Sequence, residues 1–135
     1  MIVRPYQPTD EEQVVALWHD CQLVVPWNDP KEEIERKMQV QPELFLVGVV
    51  GERVAATVMA GYDGHRGWLY ALAVAPDRQR QGLGRRMVEE AEARLRALGC
   101  RKVNLQVRAS NTEVVAFYER LGFSVEDRVS LGKRL

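Results

Sequence analysis

The chain has 135 residues, enough for one domain with a real hydrophobic core. Its composition is that of an ordinary folded protein, 46% hydrophobic and 28% charged, with nineteen basic residues balancing nineteen acidic ones. That balance argues against a generic binder of nucleic acid or of an anionic membrane, because both use an excess of Lys and Arg; any anion site must be local. The two cysteines, Cys21 and Cys100, suggest neither a disulfide framework nor a zinc site, and no other metal site is indicated. They read as reduced thiols. The opening Met1-Ile2-Val3-Arg4-Pro5 carries no apolar stretch long enough for a signal peptide, and the longest apolar run, Leu44 to Val50, is too short to span a bilayer. A cytoplasmic location is expected.

There is no repeat, low-complexity tract or linker, so residues 1–135 are expected to form one domain. Ile2 to Tyr6 reads as a β-branched opening strand with Pro5 at an edge. Asp10 is expected to cap a helix whose Val14, Leu17, Trp18 and Cys21 repeat at helical spacing. Asp29 as N-cap and Pro30 at the first helical position open a second helix carrying Ile34 and Met38. Leu44 to Val50 and Val54 to Tyr62 read as strands joined at Gly51-Glu52. A second turn, Asp63 to Gly67, leads to a strand over Trp68 to Val74. Gly82 to Leu98 is then a helix with Leu83, Met87, Val88, Ala91 and Leu95 inward, stopped by Gly99. Val103 to Val107 alternates as a strand, Thr112 to Leu121 is a helix ended by Gly122, and two short strands close the chain. The order βααβββαβαββ defines an α/β domain with a mixed sheet.

The run Leu72-Ala73-Val74-Ala75-Pro76-Asp77-Arg78-Gln79-Arg80-Gln81-Gly82-Leu83-Gly84 takes a strand into a glycine-containing loop that opens a long helix. Free N–H groups and the helix dipole make such a start an anion site. Gly82 and Gly84 remove the side chains that would hold a pyrophosphate away from those amides. Arg78, Arg80, Arg85 and Arg86 add a local positive field that the neutral total conceals. By itself the pattern is equally that of a tight turn with solvated arginines. It is neither a Walker loop, which needs Gly-Lys-Ser/Thr, nor a Rossmann fingerprint, whose glycines are spaced more widely.

A second run, Asn111-Thr112-Glu113-Val114-Val115-Ala116-Phe117-Tyr118-Glu119-Arg120-Leu121-Gly122-Phe123, stands one helix and one strand later. Together, in this order, the two runs resemble the two long motifs of the GNAT family of N-acetyltransferases, and the opening Ile2-Val3-Arg4-Pro5 with Asp10 is similar to that family's start. The resemblance covers essentially the whole chain. It implies the GNAT fold, a mixed and mostly antiparallel sheet flanked by about four helices. It implies acetyl-CoA as co-substrate and a primary amine, small molecule or protein, as acceptor. Through the resemblance, Gln79, Arg80, Gln81, Gly82, Leu83 and Gly84 would bind the CoA pyrophosphate. The edge of Leu72, Ala73 and Val74 would pair with the pantetheine arm, one N–H there polarising the thioester carbonyl. Asn111 would cap its helix and lie near the pantetheine, and Tyr118 would protonate the departing thiolate. Without the motif, Tyr118 would read as a core aromatic.

The chain departs from the family in one respect, since no glutamate stands on the Trp68 to Val74 strand to take the proton of the attacking amine. Asp63, His65 and Asp29 are the candidates for that base, although Asp63-Gly64 is also an ordinary turn, Asp29 a helix cap and His65 a solvated loop residue. Trp27, Asn28, Asp29, Asp63, His65 and Tyr70, with Tyr62 and Trp68 as further aromatics, are the expected acceptor side. Two other classes stay open: a non-catalytic CoA-binding sensor, and a nucleotide or nucleic-acid binder, which the charge balance disfavours. An edge strand offers a route to a homodimer.

Overall fold

Alternation and β-branched runs become strands wherever a neighbouring run can pair with them, and the computed structural model, which describes all 135 residues, shows where that happens. Cα packing divides the chain into two units, Met1–Leu105 and Gln106–Leu135. The first holds strands β1 (Ile2–Pro5), β2 (Phe45–Val50), β3 (Arg53–Tyr62), β4 (Gly67–Val74) and β5 (Val103–Asn104), with helices α1 (Glu11–Asp20), α2 (Pro30–Met38) and α3 (Leu83–Ala97). The second holds α4 (Thr112–Arg120). The sheet runs in the order β1-β2-β3-β4-β5; its first four strands are antiparallel neighbours and β5 lies parallel to β4. The expected mixed, mostly antiparallel sheet and four helices are therefore present. No helix is long and apolar enough to cross a membrane.

The central strand β3 is buried from Val54 through Ala60, so both of its faces are covered. On one face Val14, Leu17 and Trp18 of α1 and Ile34 of α2 pack with Tyr6, Phe45 and Val47. The Tyr6 ring stacks on Phe45 at 4.5 Å. Gly48 follows on the opposite pleat, where a Cβ would meet Met1 Sδ at 2.6 Å and Met87 Sδ at 3.0 Å; α3 covers that face with Met87, Val88, Ala91 and Leu95. Met87, Val88 and Leu95 each contribute about 1.5–3 kcal/mol through removal from water.

Three expectations need correction. Asp10 does not cap α1 with its side chain. A short 3-10 turn, Pro8–Asp10, precedes the helix, and the buried Asp10 carboxylate turns back to accept from the Gln7 N–H at 2.8 Å and from both Arg4 guanidinium arms at 2.8 and 2.9 Å. The strand expected over Val103 to Val107 pairs only at Val103 and Asn104. The two closing strands do not form: residues 121–135 make no ladder, and Val125, Val129 and Leu131 are exposed. Their alternation is a strand pattern without a partner, and strands are stable only when paired.

The Arg4–Asp10 pair carries a prediction. The pairing with Arg4 holds the Asp10 carboxyl below the usual carboxylate range, against the opposing effect of burial. A depressed carboxyl stabilises the fold above its unfolded pKa and loses that contribution as pH falls through the folded one. Asp10→Asn should cost about 2 kcal/mol at pH 7, less than a fully buried pair because Arg4 is part-exposed, and the gap to the parent should close in acid. Urea titrations at pH 7 and pH 3 check both halves.

Candidate active site

The connection from β4 to α3 has an uncommon backbone. After a 3-10 turn over Pro76–Arg78, Arg80 adopts φ +64° and Gly82 φ +82°, both left-handed, and Gly82 is the N-cap of α3. Nothing lies within 4 Å of a Cβ built on Gly82, so glycine is favoured there by backbone angle, not by crowding. Gln79 Nε2 ties the loop back to the Val74 carbonyl at 3.1 Å. Successive amides turned inward by such a backbone make an anion nest. Helix-end charges point the same way. The helices α1, α2 and α4 each carry glutamate in the first turn, as the dipole prefers, and a side chain caps α2 and α4. α3 has no acid there and no side-chain cap. Arg85 and Arg86 stand at that end instead, each with a glutamate one turn on at 3.6 Å.

β4 ends in a second irregularity. Met59 pairs with Tyr70 and Thr57 with Ala73, so Ala71 and Leu72 together oppose Val58, and Ala71 takes φ +51°. This bulge is pinned from below: the Trp18 indole donates to the fully buried Thr57 hydroxyl at 3.0 Å, which donates to the Ala71 carbonyl at 2.9 Å. Non-glycine residues with positive φ persist only where the surroundings hold them, and they cluster at functional sites. Past Trp68 no ladder bond joins β4 to β5, so Leu72, Ala73 and Val74 have a β3 neighbour and no β5 neighbour.

In the second unit, Asn111 is the N-cap of α4, its Oδ1 accepting from the Val114 N–H at 3.4 Å. Tyr118 is buried and meets Phe117 and Phe123 edge-on, at 5.0 and 5.4 Å between centroids. Burial alone pushes its phenol up to about 12, so it is a proton donor throughout the neutral range.

A cavity of about 540 Å³ opens beside the bulge, lined by Tyr70 and Ala71 of β4, Met59 of β3, Trp18 of α1, the loop residues Leu23, Val24 and Asn28, and Pro30, Glu33, Arg36 and Lys37 of α2. Of the residues expected on the acceptor side, Asn28 and Tyr70 line it. Trp27 is 59% exposed and does not. Asp29 caps α2 by accepting from the Lys31 N–H at 2.9 Å. Asp63 accepts the N–H groups of His65 and Arg66, both at 2.7 Å, which hold its carboxyl below the usual range. His65 is exposed on that turn. Asp29, Asp63 and His65 are thus outside the cavity lining.

Sequence reasoning missed Glu33, Arg36 and Lys37, which the cavity brings together. A signal existed: the Glu33–Lys37 row lies beside the apolar Ile34–Met38 row on α2, the flank where helical side chains are half-buried. The Trp18–Thr57–Ala71 relay left none, since it depends on strand register.

Comparison with known proteins identifies the family. Residues 12–123 match the sequence profile of the Acetyltransferase (GNAT) family. The chain belongs to that family, and it is an acyl-CoA-dependent N-acetyltransferase. An acetyltransferase of Yersinia enterocolitica is 45% identical over 135 residues, covering 100% of this chain and 96% of its own. Among solved structures, the ribosomal-protein-S18-alanine N-acetyltransferase of Escherichia coli is 30% identical with a TM-score of 0.72, over 91% of this chain and 77% of that one. Naa20 of Chaetomium thermophilum, solved with a bisubstrate analogue, is 25% identical with a TM-score of 0.75, over 93% and 72%.

Proposed function

We propose that this N-acetyltransferase works in the cytoplasm as one catalytic domain, 1–135, moving acetyl from acetyl-CoA to a small primary amine by direct attack. The observation that carries the reading is α3, whose start has open amides, two left-handed residues and arginines where the other helices have glutamates. An anionic substrate group supplies what that end lacks. Gln79, Arg80, Gln81, Gly82, Leu83 and Gly84 hold the pyrophosphate. The side of Leu72, Ala73 and Val74 that β5 does not cover offers outward-facing amides to the pantetheine, one of them polarising the thioester carbonyl. Asn111 orders the start of α4.

In the reaction, the neutral amine attacks the thioester carbonyl carbon; a C–N bond forms and the C–S bond breaks. Glu33, the carboxylate of the cavity, takes the amine proton directly or through water. Tyr118 gives a hydrogen bond, then its proton, to the departing thiolate and recovers one from solvent. Asn28 and Tyr70 contact the acceptor.

Two measurements bear on this. The direct test follows free thiol released from acetyl-CoA by the purified chain with a panel of amines. Amine-dependent release is expected, and release that never depends on the amine would overturn the reading. The loop is tested by Gly82→Val, where a β-branched residue at positive φ costs on the order of 1–2 kcal/mol. Calorimetry should show acetyl-CoA binding about tenfold weaker, with a small loss in melting temperature.

A further inference from the structure

α2 presents a charge row to the cavity that the helix itself leaves open. Glu33 and Lys37 stand one turn apart, in the order and at the spacing where Glu and Lys ordinarily pair. They do not pair. Lys37 Nζ donates to the Ala60 carbonyl at 2.5 Å, and the Glu33 carboxylate has only Arg36, at 3.9 Å. The half-buried Lys37 ammonium has three donors and this one acceptor, while no carboxylate lies within ion-pair distance. Burial pulls its pKa down against the opposing field of the Glu43 carboxylate, which does not reach ion-pair distance. Glu33, Arg36 and Lys37 are the only charged residues lining the cavity, one negative against two positive.

The register along β3 places the Lys37 end of this row. Lys37 meets the backbone at Ala60, and the Gln41 side chain brackets Tyr62, donating to its carbonyl at 3.0 Å and accepting its N–H at 2.8 Å. Ala60 lies two residues of strand, about 7 Å, from Val58, while Gln41 stands beyond the end of α2 with φ +52°. Val58 is the residue that the Ala71–Leu72 bulge faces, and Glu33, one turn back from Lys37, lines the cavity with Tyr70 and Ala71. Carboxylate and ammonium therefore line one cavity with the bulge, about one helical turn apart.

We propose that the acceptor is a small amine that also carries one anionic group, a carboxylate or a phosphate. Its amine lies at Glu33, and its anion on Lys37 with Arg36 at the rim. The proposal rests on the reading of Leu72 to Val74 as the thioester edge. A row about 6 Å long fits an amine and an anion separated by on the order of 5 Å, as in β- and γ-amino carboxylates or short aminoalkyl phosphates. It opposes polyamines and other polycations, which would face two cations and find a single carboxylate.

The test uses the full chain with acetyl-CoA and follows thiol release. Acceptors are a series of amino carboxylates of increasing length, the amide of each, aminoethyl and aminopropyl phosphate, and a linear polyamine. The expected kcat/KM peaks at the β- or γ-amino member and falls about tenfold or more in its amide, the cost of leaving the cations unanswered; the phosphate arm tells which anion is used. Lys37→Met should raise KM for the best amino carboxylate about tenfold with kcat little changed, leave its amide unaffected, and be rescued by Lys37→Arg. Amides or the polyamine turned over as well as the anionic amines, no turnover of any anionic amine, or an equal effect of Lys37→Met on every acceptor would overturn the proposal. Calorimetry separates the two failures: a parent chain that does not bind acetyl-CoA sinks the underlying reading, whereas retained binding with indifference to the anion sinks only this inference.

Discussion

Tyr118→Phe is expected to lower kcat by about 10²- to 10³-fold, the usual effect of removing one hydrogen-bond donor from a developing negative charge. KM for acetyl-CoA should move only a few-fold. Burial raises the phenol to about 12, well above an ordinary thiol, which sets how it works. Such a group is a weak acid toward a thiolate, but it is never lost to ionisation in the assay range. It steadies sulfur as charge builds, and the proton follows late. The parent pH profile should therefore show no fall below about pH 10 assignable to Tyr118. Loss of activity with unaltered acetyl-CoA affinity would support this role. A variant that keeps most of its kcat would return Tyr118 to the core, beside Phe117 and Phe123.

Glu33→Gln is expected to lower kcat about 10²-fold near pH 7, the ordinary contribution of a positioned base. The sign of its pH dependence discriminates. A primary amine of pKa about 10.4 is mostly protonated at neutral pH and sheds its proton unaided as pH rises toward that value. The defect should shrink steadily from pH 7 to pH 10. A defect that stays constant with pH would assign Glu33 to binding instead of proton transfer. The substitution retains shape and leaves Lys37 on the Ala60 carbonyl, so melting temperature should change little.

The ease with which each part was read follows the range of the interactions involved. The loop from Gln79 and the start of α3 were legible because Gly82, the helix start and the arginines are all encoded within a few residues, Gln79 to Arg86. The helices α3 and α4 came within one residue of both their bounds, and α2 began at Pro30 after its Asp29 cap, for the same reason. The closing strands were over-read, since alternation records what a segment could pair with and not whether a partner exists. Asp10 was assigned the commonest duty of its position; its carboxylate went to Arg4, six residues back across a turn that no local pattern announces. The bulge at Ala71 and the charged lining of the cavity were invisible because they arise from β3–β4 register and from which flank of α2 meets β3. The acidic candidates favoured from sequence were those next to turns and caps, and Asp29 and Asp63 are committed to backbone N–H groups. Glu33, inside a polar helix with Ile34 beside it, carried no such flag.

Titration of the purified chain with acetyl-CoA by calorimetry tests the central claim most directly. The account predicts saturable binding in the micromolar range, unaffected by Tyr118→Phe and about tenfold weaker in Gly82→Val. Absence of binding, or binding indifferent to Gly82→Val, would contradict the assignment of the Gln79 to Gly84 loop on which the account stands.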